Sequence, residues 1–423
     1  MVKNNNNEKI KINFWQKHKT PTATRICLSM VGILVIFALN KNNNEPDISP
    51  YRPQVYTNGF PILALDVDFA LPIDWDQSGY DLQIVFNNWL GATLNVSNTS
   101  DKFEMTDVEV LVRGRGNSTW WSFWEKRPMR FRFPDDQWQA MFDSPHVGRD
   151  WVLFANAADP SHLRNFSAFY LANLLGNFSF TPQTWFVHLY LDGDYRGVYL
   201  LLDEREAIEG RGNLNLDIDP TISEYMLEFD VRTGRYAEGR INTHWVNVRG
   251  SWDIRYPNTS EWMSEPNNPH ALYVKDFLTR IDTALTQGDI QILENLIDID
   301  SFVDFYLIHE FLKNQDSRWS SLFFQIKGQE DERRLHAGPI WDFDLSTGST
   351  PDVYNTTGSH AVRNDSSHYV FDWFYHLMNT QWFQELARNR WNDIKDDQIA
   401  HLMNRINYMV TTFETEFIRD YQR

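Results

Sequence analysis

Residues 311–348 read FLKNQDSRWSSLFFQIKGQEDERRLHAGPIWDFDLSTG, and the fold is read outward from them. The stretch opens on the end of an apolar segment, Ser301 to Lys313, whose spacing predicts a helix. A polar turn follows, Asn314-Gln315-Asp316-Ser317-Arg318. Two short runs of strand-type composition, Leu322 to Ile326 and His336 to Ile340, predict a hairpin that ends on Trp341-Asp342-Phe343-Asp344. In an extended segment residues i and i+2 share a face, so Asp342 and Asp344 stand side by side and repel each other when both are ionised. A hard divalent cation between them, completed by phosphate oxygens, removes that repulsion. The pair is equally compatible with a helix cap at Asp344 and an arginine partner for Asp342. Asp316 lies 26 residues before Asp342. A carboxylate on such a helix-to-strand turn can accept or orient the proton of a substrate hydroxyl, although turn chemistry alone also favours Asn and Asp there.

Upstream, alternation and β-branched or aromatic content predict strands at Ile62 to Phe69, Tyr80 to Phe86, Val108 to Val112 and Met129 to Phe133. Trp185 to Leu191, the turn Asp192-Gly193-Asp194, and Arg196 to Leu202 predict a hairpin. Ser161 to Leu175, preceded by Pro160 and ended by Gly176, predicts a helix. Beyond about residue 215 the pattern turns helical: Ala271 to Thr286, Ile290 to Leu296, Ser301 to Lys313, Trp373 to Ile394 and Gln398 to Tyr421. A β-rich first half and a mostly helical second half make an α+β fold, with two lobes and a cleft between them as the simplest arrangement. Lys126, just before the strand Met129 to Phe133, is a candidate phosphate-binding cation or a solvated surface lysine. Arg164 and Asn165 on the helix Ser161 to Leu175 line a ligand site, or belong to a surface face or a buried ion pair. Glu204 closes the second strand of the hairpin and is a pocket acid or an exposed charge among Asp203, Arg205 and Glu206.

Composition narrows the chemistry. Residues 1–44 hold seven basic residues and one acidic residue, so the other 379 sum to −24. A body that acidic is no general nucleic-acid binder, because phosphate neutralisation needs clustered Lys and Arg. The one cysteine, Cys27, excludes a disulfide framework, a cysteine nucleophile in the body and thiolate metal sites. No H-E-x-x-H, G-x-S-x-G or Walker A sequence is present. Residues 1–25 form a basic tail, and Ile26 to Leu39 is an uncharged apolar run of 14 residues. That run suits a signal peptide or signal anchor and is short of the roughly 20 residues of a spanning helix. The positive flank points to a cytosolic N-terminus and an extracytoplasmic body, membrane-anchored by a single pass or secreted. Residues 40–60 read as a linker.

Taken in order, seven segments resemble the CotH-type spore-coat kinase family. They are RGRGNSTW (113–120), KRPMRFRF (126–133), DWVLFANAADPSHLRN (150–165), LYLDGDYRGVYLLLDE (189–204), YMLEFD (225–230), FLKNQDSRWSS (311–321) and AGPIWDFDLSTG (337–348). The resemblance covers roughly 62–400 and implies an atypical protein-kinase-like fold of two lobes: a β-rich nucleotide-binding lobe over 61–215 and a mostly helical catalytic lobe over 216–423. It implies transfer of the γ-phosphoryl of ATP, with Mg²⁺ or Mn²⁺, to Ser or Thr of envelope or coat proteins. By this resemblance Asp316 matches the catalytic Asp, and Asp342 with Phe343 matches the metal-binding Asp of a D-F-G-like element. Lys126 matches the phosphate-contacting Lys, with Arg164 and Glu204, the latter near the hinge, as further nucleotide-binding positions. Two departures stand out. Ser321 occupies the position where kinases place a metal-binding Asn, and Asp344 stands where a kinase has Gly, offering a replacement carboxylate. The helix Ser161 to Leu175 also lacks a Glu to pair with Lys126. The alternative to an enzyme is a non-catalytic surface scaffold or adhesin that keeps the fold.

Overall fold

Seven strands of the first half close into a barrel. In the computed structural model, which describes residues 55–69, 85–116, 118–121, 126–231, 245–258, 268–317, 319–348 and 371–421, these are β1 (Ile62–Val67), β2 (Leu90–Ser97), β3 (Met105–Gly114), β4 (Met129–Arg132), β5 (Asp150–Phe154), β6 (Thr184–Leu191) and β7 (Asp194–Asp203). They close in the order β1-β2-β3-β4-β5-β7-β6. All neighbours are antiparallel except β1 and β6, which run parallel with Ile62 opposite His188. The period-2 rule is visible in β4, where Met129 and Phe131 are buried while Arg130 and Arg132 are half-buried. Leu65, Leu94, Val112, Phe131, Trp151, Trp185 and Leu201 fill the barrel core. Closure leaves no open edge to the barrel sheet among the described residues.

A second sheet has the order β12-β11-β8-β10-β9 and is antiparallel throughout. Its strands are β8 (Tyr225–Phe229), β9 (Trp245–Asn247), β10 (Ser251–Tyr256), β11 (Leu322–Lys327) and β12 (Arg334–Ala337). Phe302, Phe324, Phe371, Phe374, Trp252 and Trp373 pack with ring centroids 5–6 Å apart between this sheet and its helices, as in Trp252 on Trp373 at 5.1 Å and Phe324 on Phe371 at 5.4 Å. The helices are α1 (Ser118–Trp121), α2 (Leu163–Leu175), α3 (Pro269–Gln287), α4 (Ile290–Leu296), α5 (Ile299–Phe311), α6 (Trp373–Met378), α7 (Gln381–Ile394), α8 (Gln398–Thr412) and α9 (Glu414–Tyr421). Helix α2 is buried almost all round, including Arg164 and Asn165. It packs Phe166 on Phe186 of β6 at 5.3 Å and sets Phe169 edge-on to Trp341 at 5.9 Å. That helix therefore joins the barrel to the loop that carries Asp342.

The α+β expectation holds, with a β-rich N-terminal half and helices toward the C-terminus. The second half, however, holds a five-stranded sheet where only a hairpin was expected. Strand β8, Tyr-Met-Leu-Glu-Phe, is buried at all five positions. A central strand covered on both faces shows no alternation, so periodicity does not reveal it. The strand expected at Tyr80 to Phe86 lies partly outside the described residues, and residues 85–87 form a helical turn. The long helix expected from Trp373 breaks at Asn379–Thr380, where Thr380 accepts a hydrogen bond from the Phe383 amide (3.2 Å) and caps α7. The helix expected from Gln398 breaks at the buried Phe413.

Residue 215 lies in the connection from β7 to β8, and the described residues from 55 to 421 fall in a single compact unit. The basic tail, the apolar segment 26–39 and most of the linker 40–60 lie outside the described residues. Among the described residues no helix is long and apolar enough to cross a membrane.

Candidate active site

Helix α5 delivers the chain to a tight corner that Asn314 holds. This side chain is 1% exposed. Its Oδ1 accepts from the Asp316 amide (3.1 Å), its Nδ2 donates to the Asp342 carbonyl (3.2 Å), and its own carbonyl accepts from Ser317 Oγ (2.8 Å). One buried amide thus ties the Asp316 turn to the Asp342 loop across 28 residues. Asp342 itself sits at φ +62°, a left-handed conformation that costs a non-glycine residue about 1–3 kcal/mol. Its neighbours Trp341 and Phe343 are buried and hold it there. The Phe343 amide donates to Asn165 Oδ1 of α2 (2.7 Å), and Asn165 Nδ2 donates to Asn156 Oδ1 (3.0 Å). Ser321, also left-handed at φ +60°, donates its hydroxyl to Asp342 Oδ2 (3.1 Å). Below the loop, His309 packs against Phe343 at 4.7 Å, and burial lowers its imidazole to about 3.

These loops open into a cleft of about 740 Å³. Its lining includes the acidic-loop residues Asp316, Ser321, Asp342 and Asp344, the barrel cations Arg113, Arg115 and Arg130, and the charged residues Glu204, Arg205, Glu228, Asp230 and Arg255. Asp344 is 8% exposed. Burial first, and then the charges of Asp342, Asp316 and Asp159, push its carboxyl well above the ordinary carboxylate range. A set of oxygen donors in mutual repulsion fits a hard divalent cation whose other ligands come from phosphate or water. Among the described residues no three His, Cys, Asp or Glu side chains already close round a metal-sized point. The hydroxyl of Ser321, expected as a ligand, here orients Asp342.

Two arginines that line the cleft, Arg113 and Arg115, enter no ion pair among the described residues. Arg113 lies over Trp89 (5.5 Å). The Arg115 guanidinium lies over Phe154 (4.8 Å) and Trp341 (5.7 Å). Burial lowers it to about 10, against the opposing charges of Glu204 and Asp342, so it stays charged at neutral pH. Arg205 differs, being spread between Trp341 (3.8 Å) and Phe323 (3.9 Å) while paired with Glu204 (3.2 Å). Glu204 does reach the cleft, with its oxygens occupied by Arg205 and Arg130 (3.2 Å each). Burial opposes its charge, but Arg205, Arg130 and Arg115 outweigh that and hold it well below the usual carboxylate range.

Two expected nucleotide contacts stand elsewhere. Lys126 is not among the residues that line the cleft. Its ammonium donates to the Val198 carbonyl (2.6 Å) and to both oxygens of Asp420 (3.0 Å each). The carboxylate partner that α2 lacks is therefore supplied by α9, nearly 300 residues away in sequence. Arg164 is buried against Asp159 and donates Nε to the Ser346 carbonyl (2.8 Å), which fixes the chain just after Asp344. Sequence reasoning passed over Asn314, whose role is purely tertiary, and Arg115, whose one visible signal is its place between two glycines in Gly114-Arg115-Gly116.

A family model described as CotH kinase protein matches residues 112–423. No curated protein matches the chain. The matched span covers about three quarters of the sequence and contains Arg115, the Asn165 helix, and both acidic loops of the cleft. The chain belongs to the CotH kinase family.

Proposed function

We propose that this chain is a metal-dependent atypical protein kinase that transfers the γ-phosphoryl of ATP to Ser or Thr of envelope or coat proteins. The observation that carries the reading is the gathering of Asp316, Asp342 and Asp344 opposite Arg115 in one cleft. Asp342 and Asp344 would hold Mg²⁺ or Mn²⁺, with Ser321 orienting Asp342. The ion, when bound, neutralises charge on the transferring phosphoryl group. Arg115 binds the phosphates by its planar guanidinium, the part that the family resemblance had given to Lys126. Asp316 accepts the proton of the acceptor hydroxyl as the new oxygen–phosphorus bond forms and the bond to the β-phosphate oxygen breaks, releasing ADP. Glu204 keeps Arg130 and Arg205 neutralised, which leaves Arg115, with Arg113, available to phosphate. Residues 26–39 belong to the same proposal as an export signal or anchor, which protease accessibility of the body in intact cells tests.

Labelled γ-phosphate transfer by the full chain, with Mg²⁺ and with Mn²⁺, tests the function. Label in the wild type that is lost in Asp316→Ala and in Asp342→Ala supports the kinase. No label, together with no ATP-dependent rise in melting temperature, overturns it in favour of a non-catalytic surface scaffold.

A further inference from the structure

Helix α9 ends the described chain with an interface more specific than an eight-residue helix needs. Glu416 and Asp420, at i and i+4, share one face. Each enters a seat framed by a glycine. Gly197 lies at φ +105°, and a Cβ there would come within 1.9 Å of Asp420 Oδ1. Gly59 lies at φ +101°, and a Cβ there would come within 2.1 Å of Glu416 Oε1. Phe417, between the two acids, packs on Phe60 (5.3 Å) and Phe186 (5.2 Å) and stacks on the His162 ring (5.9 Å, 12°). In its seat Glu416 meets His188 Nε2 (2.7 Å). Asp420 meets His162 Nε2 (2.9 Å), Lys126 Nζ (3.0 Å) and the Val198 amide (2.6 Å).

The Asp420 seat leads to the cleft. His162 sits at φ +60°, immediately before α2. Its carbonyl accepts from Asn156 Nδ2 (3.3 Å). Asn156 Oδ1 accepts from Asn165 Nδ2 (3.0 Å), and Asn165 Oδ1 accepts from the Phe343 amide (2.7 Å). Asp420, His162, Asn156, Asn165 and Phe343 therefore form one continuous buried route, and every residue on it is at least nine-tenths buried except Asp420, whose side chain is 6% exposed and so buried too. Glu416 has no such route, because its imidazole partner His188 lies on β6 and bonds onward to the Tyr195 hydroxyl (2.9 Å).

We infer that Asp420 is a positioning residue for the Asp342–Asp344 loop, an inference that rests on reading that loop as the working part of the cleft. By holding His162, Asp420 sets the start of α2, and through Asn156 and Asn165 it sets Phe343 between the two carboxylates. The C-terminal helix thereby governs whether the acidic loop is in register with the cleft, and undocking of α9 releases it. Coupling of this kind is a shared free energy, and a local probe can read it without turnover.

Hydrogen exchange of the full chain, followed by mass spectrometry, compares wild type with Asp420→Asn and Glu416→Gln. Asp420→Asn, which turns a donor toward His162 and Lys126, should speed exchange in the 340–348 peptide about tenfold. Glu416→Gln should speed exchange in 186–190 and leave 340–348 within about twofold of wild type. Unchanged exchange at 340–348 in Asp420→Asn overturns the inference, as does equal acceleration there by both variants. Should Asp420→Asn not fold, Asn156→Ala cuts the same route further in, removing both the bond to the His162 carbonyl and the bond from Asn165, with the same expected and overturning results. Exchange reads the loop whether or not the protein transfers phosphate, so absence of label in the wild type would count against the kinase alone. Where label is seen, Asp420→Asn should lower kcat with the KM for ATP within about twofold, and equal loss of kcat in Glu416→Gln overturns the inference.

Discussion

Replacing Asn165 by Ala tests the architecture of the acidic loop most directly. Asn165 is 2% exposed and uses both ends of its amide, accepting from the Phe343 amide (2.7 Å) and donating to Asn156 (3.0 Å). The variant leaves a buried backbone N–H without its acceptor, a desolvation cost of about 1–3 kcal/mol, and removes a second hydrogen bond worth about 1 kcal/mol. A loss of about 3 kcal/mol in urea unfolding follows, with an unchanged m-value. The consequence for the site should be larger than for the fold. Asp342 is held at φ +62° by its neighbours, and without the Phe343 anchor it can relax toward an ordinary conformation, carrying its carboxylate out of the cleft. Titration with Mg²⁺ and ATP should then show binding weakened by at least about tenfold. A variant that loses less than about 0.5 kcal/mol and binds as wild type would refute the claim that α2 positions the loop.

Arg115→Ala should weaken ATP binding by about 10- to 100-fold, the range of a lost charge-assisted hydrogen bond, while adenosine binding changes little; calorimetry with both ligands checks this. Lys126→Ala, by contrast, should act through the seat of α9, lowering the melting temperature more than ATP affinity. Asp344→Asn removes a charge that burial, Asp342 and Asp316 all disfavour. It should raise the melting temperature in the absence of divalent ions and abolish the stabilisation that Mg²⁺ with ATP confers, both read by thermal scanning. His309 gives the pH dependence. Burial depresses its folded value to about 3, below its unfolded value, so its contribution to stability is present above the ordinary histidine range and is lost as pH falls. The stability gap between wild type and His309→Gln should shrink by about 1.4 kcal/mol per pH unit below roughly pH 6, and parallel curves in urea unfolding at pH 7 to 4.5 would refute it.

Much of the candidate site is legible as local pattern. Asp316 on its turn and the Asp342, Asp344 pair line the cleft, and Glu204, just after β7, lines it too. Strand β4, with one covered face, announces itself by alternation, and the β6–β7 hairpin, buried along most of its length, by its Asp192-Gly193-Asp194 turn. Strand β8 does neither, because a strand packed on both sides carries no period-2 signal. Strand β10 does alternate, with Trp252 and Ile254 buried and Arg255 exposed. Lys126 misleads for a related reason. Its position before a strand is compatible with a cleft, and only the far end of the chain, folded back as α9, supplies the carboxylate that claims it.

The sequence by itself determined five of the seven barrel strands, β2 and β5 being the exceptions, together with the C-terminal helices and the two acidic turns, because each follows from short-range periodicity, capping and turn preference. Tertiary structure alone decided which cation faces those acids, which buried amides hold Asp342 in a left-handed conformation, and where the C-terminal helix docks. These are contacts between residues 28 to 294 positions apart. Their energy comes from desolvation and from hydrogen bonds completed only when distant segments meet, and no local pattern encodes such a meeting.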